Sequence, residues 1–303
     1  MRPRQSTHIY QGRVNRVIDY IRDHLTEPLP IGKLARLAHF SPFHFHRIFR
    51  AIAGEPLHAC VKRLRLERAI RQILYGSKAT LSEIALASGF ASSSDFSRAF
   101  KQAYGFSPRH CSHERLLEDS KIRQDLFANS EYSLAKRPAG NPDRFRVRLV
   151  DRPAQRVAYV RVMGAFNNDK VRAGFDRLMN WGRRCGVLRG ATLIGLSRDS
   201  SESTPMPKYQ FDWCLVVPPA LEPCGEVSFA EIPANRFAVV RCAGDVHKEV
   251  RAIRHLYESW LPASGYQPTN DPSMEVYRRI PRELSWEKFD IDCCLPVRHL
   301  QSR

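Results

Sequence analysis

The sequence predicts an all-α domain followed by an α+β domain, and three observations lead to this assignment. The chain has 303 residues, which is the usual length of two domains. One helical pattern occurs twice in the first third, at an offset of 50 to 51 residues. A longer pattern of strand, helix and two strands occurs twice in the second half, at an offset of 80 residues. We therefore expect a helical domain over 1–113, a linker over 114–143 and an α+β domain over 144–303.

Positive charge is concentrated in the first of these domains. The formal net charge of the chain is +17, and residues 1–113 contain 18 Lys and Arg against 7 Asp and Glu, a net of +11. The remainder contains 30 against 24, a net of +6. Such an excess favours a polyanionic partner, either nucleic acid or an acidic membrane surface. We expect that partner to bind the first domain.

Signals for export, membrane insertion or metal binding do not stand out in the sequence. Residues 1–10 lack an apolar core, and no apolar run approaches the roughly 20 residues that span a bilayer. The eight cysteines include no Cys-x-x-Cys pair, which favours reduced thiols. The sequence predicts a cytoplasmic, nucleoid-associated protein that contacts no membrane and needs neither a metal nor another cofactor.

The helical repeat consists of a short helix, a tight turn and a second helix, over about 31–52 and 81–103. Nine positions match between the copies, and Ala91 is one extra residue in the second copy. They are Leu34, Ala35, Phe40, Ser41, Phe45, Arg47, Phe49, Arg50 and Gly54 in the first copy, and Ile84, Ala85, Phe90, Ser92, Phe96, Arg98, Phe100, Lys101 and Gly105 in the second. A helix predicted over 56–75 joins the two units.

Each second helix combines an apolar face with a face of cationic and hydrogen-bonding side chains. Apolar residues recur at helical spacing from Phe45 to Ile52 and from Phe96 to Ala103. The opposite face of one such helix is usually only solvated, but two matched copies in a basic region favour insertion into the DNA major groove. The candidate DNA contacts are Phe43, His46, Arg47 and Arg50 in the first unit, and Ser93, Ser94, Ser97, Arg98 and Lys101 in the second.

Residues 14–112 resemble the DNA-binding domain of the AraC/XylS family of transcription regulators. The resemblance rests on the matched positions together with Arg65, Gly89 and the Ser107-Pro108 pair. It implies a monomeric seven-helix domain whose two units read adjacent segments of the major groove. It also implies base reading by the candidates named above, except for Arg50 and Lys101. The chain departs from the family where Arg109-His110-Cys111 replaces an aromatic-Arg pair, which concerns a helix end and backbone contacts.

The repeat in the second domain predicts two strand-helix-strand-strand units with a groove between them. Residues 153–164 align with 233–244 without a gap, and both segments alternate as strands do. A helical stretch follows each segment and ends near a tryptophan, Trp181 in one copy and Trp260 in the other. Two further strand candidates complete each copy.

Aromatic side chains and one carboxylate share faces on these predicted strands. Phe211 and Trp213 alternate onto one face of their strand, and Glu275 shares a face with Tyr277. Aromatic walls and a desolvated carboxylate suit an organic cation. The candidate ligand contacts are Glu275, Tyr277, Trp213, Phe211 and Tyr159. The alternative is that Glu275 pairs with a nearby arginine such as Arg278, and that the aromatic rings are core.

Residues 144–303 resemble the GyrI-like effector-binding domain, on looser motifs than those of the first domain. The motifs are the Pro-x-x-Arg strand starts, Trp260-Leu261-Pro262 and Glu275-Val276-Tyr277. The resemblance implies a sensor of small amphipathic, often cationic compounds. Some relatives of this fold hydrolyse reactive small molecules with an acidic residue.

Together these patterns predict a transcription regulator that is not an enzyme. Its first domain binds double-stranded DNA, and its second binds a small-molecule effector that changes DNA affinity or contact with RNA polymerase. No second carboxylate, His or Cys is placed by spacing to assist Glu275, so we predict no catalytic residue. One alternative is a DNA-tethered hydrolase that depends on Glu275. Another is a DNA-coating protein without sequence preference, which the three serines of the second unit would suit.

Overall fold

The computed structural model describes residues 3–75, 79–112, 115–116, 141–164, 168–199, 204, 206–222, 227–284 and 286–300. The chain divides into two compact units. Unit 1 comprises Met1–Leu126, Ser200–Tyr209 and Cys224–Val227, and unit 2 comprises Phe127–Asp199, Gln210–Pro223 and Ser228–Arg303. The predicted linker over 114–143 lies mostly outside the described residues.

The described part of unit 1 contains six α-helices. They are α1 (Pro3–Asp23), α2 (Ile31–Leu37), α3 (Pro42–Ala53), α4 (Leu57–Tyr75), α5 (Leu81–Ala87) and α6 (Ser93–Tyr104), followed by a 3-10 turn, Pro108–His110. The pairs α2–α3 and α5–α6 are the two helix-turn-helix units, and α4 is the helix that joins them. No helix in the described part of the chain is long and apolar enough to cross a membrane.

Local sequence explains where α3 and α6 begin. Ser92 is the N-cap of α6, and its hydroxyl accepts a hydrogen bond of 3.1 Å from the backbone N–H of Asp95. Ser41 is the N-cap of α3 but makes no such bond with its side chain. Pro42 follows it at the first helical position, where the missing N–H needs no partner.

The same helices end at glycines and pack around separate cores. Gly54 and Gly105 have φ angles of 71° and 89°, in the left-handed region that glycine adopts without a steric cost. The apolar face of α3 contributes Phe45 and Phe49 to one core, and the apolar face of α6 contributes Phe96 to the other. Because these faces are buried, the opposite faces of α3 and α6 point outward.

Helix α4 carries a buried ion cluster. The guanidinium of Arg63 lies 2.8 Å from carboxylate oxygens of both Glu55 and Glu67, and none of the three residues is more than 9% exposed. Two further residues of unit 1 join the cluster: Lys208 donates to Glu55 at 2.9 Å and Thr204 donates to Glu67 at 2.6 Å. Removing one member of such a cluster costs about 3–5 kcal/mol because a buried charge is left unpaired.

The nine strands described in unit 2 form one antiparallel sheet. They are β1 (Arg148–Arg152), β2 (Gln155–Met163), β3 (Leu193–Ser197), β4 (Gln210–Val216), β5 (Ser228–Ile232), β6 (Asn235–Gly244), β7 (Tyr266–Pro268), β8 (Ser273–Tyr277) and β9 (Phe289–His299). The strand order is β1-β6-β9-β8-β3-β4-β2-β5, and β7 pairs with β9. Helix α7 (Asn168–Arg184) follows β2. Helix α8 (Val246–Arg254) follows β6 and continues through a π-helical turn, His255–Trp260, into the short helix α9 (Leu261–Ser264).

Alternation along the strands gives this sheet two distinct faces. The helix-covered face includes Trp213, whose indole N–H donates to the backbone oxygen of Val171 in α7 at 3.0 Å. The other face carries a separate apolar cluster that includes Tyr159, Cys214 and Met274. We call the first of these the helix face and the second the opposite face.

Candidate DNA-binding surface and ligand pocket

The nine predicted DNA contacts lie on α3 and α6, on the sides turned away from the apolar cores. Exposed side chains are Phe43, His46, Arg47 and Arg50 on α3, and Ser94, Arg98 and Lys101 on α6. Ser93 and Ser97 are half-buried. Phe43 is 89% exposed, so this ring has no packing role in unit 1. A protruding aromatic ring among cations suits apolar contact with a thymine methyl group.

The matching arginines of the two helix-turn-helix units, Arg47 and Arg98, differ in their partners. Arg98 forms an ion pair of 2.5 Å with Asp95 one turn earlier on α6, and its side chain is 78% exposed. The hydrogen bond from Arg98, and a second from Ser92, hold the pKa of Asp95 below its usual value. Among the described residues, no ion pair involves Arg47. Asp95 thus engages the Arg98 guanidinium, whereas the described residues supply no acidic partner for Arg47.

A cleft of about 370 Å³ lies beside the second helix-turn-helix unit, α5–α6. Ser93 and Ser97 of α6 line it together with Ser82 of α5. Arg109, at the site of the departure from the family pattern, lines the same cleft. Hydroxyls and a guanidinium around one cleft suit phosphate oxygens, which position a protein on DNA without reading its sequence.

In unit 2 the helix face brings together four of the five predicted ligand contacts. The rings of Phe211 and Trp213 lie 5.1 Å apart, and those of Trp213 and Tyr277 lie 5.2 Å apart, between centroids. The Tyr277 hydroxyl donates to Oε2 of Glu275 at 2.9 Å. Strand β3 lies between β4, which carries Trp213, and β8, which carries Glu275. Gly195 of β3 pairs with both of these residues. Because position 195 has no side chain, the Phe211 ring and the Glu275 carboxylate both pack against its backbone.

The fifth predicted contact, Tyr159, lies on the opposite face of the sheet. It pairs with Cys214 across the β2–β4 ladder, whereas Val160 pairs with Trp213. Since successive residues of a strand point to opposite faces, Tyr159 points away from Trp213. It is buried in the apolar cluster of the opposite face, so its inclusion among the ligand contacts is corrected.

The alternative in which Glu275 pairs with a neighbouring arginine does not hold. Arg278 lies 2.8 Å from Asp292 instead. In the described part of the chain, no Lys or Arg forms an ion pair with Glu275. This carboxylate therefore stands among aromatic rings without a cation from those residues.

Two aromatic residues that the sequence analysis missed extend the cluster of rings around Trp213. Phe175 of α7 packs edge-on against Trp213 at 5.3 Å and against Trp286 at 4.9 Å, between ring centroids. The guanidinium of Arg172 lies 5.6 Å from the Trp286 ring. Trp286 stands in a turn with a φ of 63°, which only the folded chain shows. No periodic pattern includes it, so the sequence carries no signal for its position.

The sequence analysis also missed a second carboxylate. Glu249 of α8 lies close enough to Glu275 for the charge of Glu275 to raise the pKa of Glu249. The sequence does contain a signal, because Glu249, Ala252 and Leu256 share one helix face and the last two are 0% and 2% exposed. A glutamate on a buried stripe is unusual unless it has a partner.

Burial dominates the electrostatics of this pair. It raises the pKa of Glu249 well above the usual value, and the charge of Glu275 raises it further. Burial also raises the pKa of Glu275, against the hydrogen bond from Tyr277 that lowers it. Both side chains are partly accessible to solvent.

Comparisons with known proteins match two separate parts of the chain. Residues 145–298 match the family described as GyrI-like small molecule binding domain, and residues 34–113 match a helix-turn-helix domain family. "Probable transcriptional regulator LumQ" of Photobacterium leiognathi is 35% identical over 98 residues, which are 32% of this chain and 39% of LumQ. The HTH-type regulator YbfP of Bacillus subtilis is 33% identical over 99 residues, which are 33% of each chain. The chain thus spans less than half the length of these two relatives.

Two solved structures are similar to parts of the chain. The C-terminal domain of EcmrR is 17% identical with a TM-score of 0.41, covering 52% of this chain and 99% of that domain. A transcriptional regulator with an AraC-type DNA-binding domain from Chromobacterium violaceum is 24% identical with a TM-score of 0.33, covering 35% of this chain and 93% of that one. Because the GyrI-like match alone spans half of the sequence, the chain belongs to the GyrI-like small-molecule-binding family, and it carries an AraC-type helix-turn-helix domain ahead of that domain.

Proposed function

We propose that the protein is a sequence-specific transcription regulator whose DNA binding responds to a small organic cation. The observation that carries this proposal is the matched pair α3 and α6, each with a buried apolar face and an outward face that carries cationic side chains, together with serine hydroxyls on α6. The relative LumQ is itself named as a probable transcriptional regulator. A hydrolase is not retained as an alternative, since the named relatives are regulators.

On DNA, we assign different roles to the exposed side chains. Arg47 and Arg98 are placed to pair with guanine in the major groove, and Phe43 to contact a thymine methyl group. The serines of α6 supply shorter hydrogen-bonding groups. Arg50, Lys101 and Arg109 are assigned to phosphates, which add affinity without discrimination.

The pocket on the helix face of unit 2 is the proposed effector site. A carboxylate among Trp213, Phe211 and Tyr277 attracts a positive ligand, because no Lys or Arg of the described residues forms an ion pair with it. We also propose that the two halves of unit 2 are repeats of one strand-helix-strand-strand unit. We propose further that the DNA-binding domain comprises residues 1–113 and the effector-binding domain residues 144–303.

Effector binding and DNA binding are coupled in this proposal. If the ligand changes DNA affinity by some factor, DNA must change ligand affinity by the same factor. The effector acts either on DNA affinity or on contact with RNA polymerase. An effect of DNA on ligand affinity is expected only for the first of these two routes.

Selection of binding sites from a random duplex pool tests the DNA-binding part. We expect the full-length protein at about 0.15 M salt to enrich a site with two conserved blocks about ten base pairs apart, one for each helix-turn-helix unit. The variant with both Arg47→Ala and Arg98→Ala serves as the control and should enrich no such site. A pool that stays unenriched with the unaltered protein would show that unit 1 binds DNA without sequence preference.

A further inference from the structure

We propose that Asp95 is a specificity-determining residue of the second helix-turn-helix unit, because its carboxylate positions the Arg98 guanidinium for one base pair and cancels the attraction of that guanidinium for phosphates. Asp95 therefore lowers affinity for DNA in general and sharpens the choice of base at one position. This inference rests on the proposed sequence-specific DNA binding, and it names a residue outside the predicted DNA contacts.

The ion pair between Asp95 and Arg98 lies on the outward side of α6. Oδ1 of Asp95 lies 2.5 Å from Nη2 of Arg98, and the two side chains are 45% and 78% exposed. Asp95 is the third residue of α6, and its backbone N–H donates to the hydroxyl of the N-cap Ser92 at 3.1 Å. The hydrogen bonds from Arg98 and from Ser92 hold the pKa of Asp95 below its usual value, so this carboxylate is ionised at neutral pH. The carboxylate is thus held near the start of the helix, where it can fix the longer side chain of Arg98.

Stability of the fold does not explain this pair. Water screens an ion pair between exposed side chains, so such a pair contributes little to the free energy of unfolding. The capping hydrogen bond to Ser92 uses the backbone N–H of Asp95, which any residue except proline would supply at this position. The carboxylate itself is therefore available for a role on DNA.

The charge of Asp95 changes what Arg98 can contribute on DNA. An arginine without an acidic partner adds affinity on every sequence, because it neutralises phosphates and releases counterions. The pair of Asp95 and Arg98 has no net charge, so a phosphate that approaches the guanidinium is also repelled by the carboxylate. Hydrogen bonds to guanine survive the pairing, since the bond from Nη2 to Asp95 leaves other N–H groups of the guanidinium available. Arg98 thus gains free energy on a guanine and little on a phosphate.

The pair also limits the directions in which the Arg98 guanidinium can point. An exposed side chain loses rotamer freedom when it binds a base, and this loss weakens binding. Because Asp95 already holds Nη2, less of that freedom remains to be lost. A guanidinium held in one orientation fits a base pair poorly when the acceptors of that base pair lie elsewhere, and this mismatch produces the discrimination.

The first helix-turn-helix unit has no acidic residue at the matching position. His44 matches Asp95 at the offset of 51 and stands three residues before Arg47. The sequence of α3 contains no Asp or Glu, and Asp95 is the single acidic residue in the sequence of α6. Arg47 therefore keeps its full charge, which adds affinity on any DNA besides its proposed reading of guanine. The second unit contributes mainly to discrimination.

Asp95→Asn tests this inference in the full-length protein, because it keeps the size of the side chain and removes its charge. Titrations at about 0.15 M salt measure affinity for the selected duplex, for its single-base variants and for a duplex of unrelated sequence. On the unrelated duplex we expect binding to tighten by about threefold or more, with a salt dependence steeper by about one released counterion. At the base pair where Arg98→Ala loses discrimination, we expect Asp95→Asn to lose about fivefold or more. A residue that only stabilised α6 would, when replaced, weaken binding to every duplex instead.

Glu83→Gln is the matched control. Glu83 is the third residue of α5, as Asp95 is of α6, and it is exposed and forms a capping box with Thr80. Its replacement removes the same charge near the start of a helix and should leave discrimination unchanged at every base pair.

A double-mutant cycle separates positioning of Arg98 from direct reading by Asp95. In the Arg98→Ala protein, Asp95→Asn should cause no further loss of discrimination, because the side chain that Asp95 positions is gone. A further loss there would show that the carboxylate reads a base itself, and this result would overturn the inference. Full discrimination by Asp95→Asn alone would overturn it as well, while the proposed function stands. If the unaltered protein enriches no site from the random pool, the proposed function fails and the inference fails with it.

Discussion

Gly195 of β3 and Glu275 of β8 lie opposite each other in the sheet, and a Cβ atom at 195 would stand 3.0 Å from Oε2 of the glutamate. The same atom would lie 2.5 Å from Cζ of Phe211. A separation of 2.5 Å is shorter than any ordinary carbon–carbon contact. The absence of a side chain at this position lets the Phe211 ring and the Glu275 carboxylate both pack against the backbone of β3.

Gly195→Ala should therefore disturb both the pocket and the packing. We expect at least a tenfold loss of affinity for an aromatic ammonium probe such as 2-methylbenzylamine, because the alanine side chain displaces the Phe211 ring or the Glu275 carboxylate. Overpacking should also lower the free energy of unfolding by about 1–3 kcal/mol. Tryptophan fluorescence measures both quantities in unit 2 alone, since the tryptophans of this sequence are Trp181, Trp213, Trp260 and Trp286.

Gly32→Ala is the control for this substitution, because nothing lies within 4 Å of a Cβ atom built there. It should leave the fluorescence transition and the probe affinity unchanged. Unaltered affinity in Gly195→Ala, together with lowered stability, would place the ligand somewhere other than beside β3.

Arg47→Ala should cost about 1–3 kcal/mol of specific DNA binding and relax discrimination at one base pair. The reason is that Arg47, exposed on α3 and in no ion pair among the described residues, can donate two hydrogen bonds to guanine. Titrations of the selected site and its single-base variants measure this loss. Arg183→Ala, which removes one exposed charge from α7, is the matched control. An equal loss on every sequence would assign Arg47 to a phosphate.

Replacing single thymines of the selected site by uracil tests the role of Phe43. Uracil lacks only the methyl group, so at one position we expect a loss of about 0.8 kcal/mol, the value of one buried methylene. The variant Phe43→Ala should bind the thymine and uracil sites equally at that position. If uracil weakens both proteins to the same extent, the methyl group contacts another residue or alters the shape of the DNA.

Acid should destabilise unit 2 through Asp212. This fully buried carboxylate lies 2.7 Å from both Arg161 and Arg198. Burial alone would raise the pKa of Asp212, but the two guanidinium charges and their hydrogen bonds outweigh it and bring the pKa to about 2. Because the unfolded value is about 3.9, the ionised group stabilises the fold above that pH. The stabilisation, on the order of 2 kcal/mol, is lost as pH falls from about 4 to about 2.

Denaturant unfolding followed by tryptophan fluorescence between pH 2 and 5 measures this loss. Asp212→Asn should lower stability at pH 7 by about 3–5 kcal/mol, since two buried guanidinium groups lose their carboxylate. It should also flatten the change between pH 4 and pH 2. Asp151→Asn, at an exposed ion pair with Arg236, should retain that change. A steep acid transition in Asp212→Asn would assign the loss to other carboxylates.

Local patterns in the sequence were enough to predict the helix-turn-helix units. Helical spacing from Phe45 to Ile52 placed the buried face of α3, and with it the outward position of Arg47. Alternation within single strands likewise placed Phe211 beside Trp213, and Glu275 beside Tyr277. Each of these relationships spans less than about a dozen residues, where helical or strand geometry alone decides which side chains share a face.

Relationships between distant segments could not be predicted in this way. Tyr159 was misplaced because a one-residue difference in strand register decides whether it or Val160 faces Trp213. Trp286 joined the cluster of rings around Trp213 through a turn that no periodic pattern includes.

The sequence by itself determined the two domains, the matched second helices of the helix-turn-helix units and the aromatic strand that carries Trp213. Only the tertiary structure decided that α8 packs on β6 and β9, which brings Glu249 close to Glu275. Helical and strand patterns report the local geometry of one element. The meeting of two carboxylates depends on how separate elements pack, and that packing is set by the whole apolar core of unit 2.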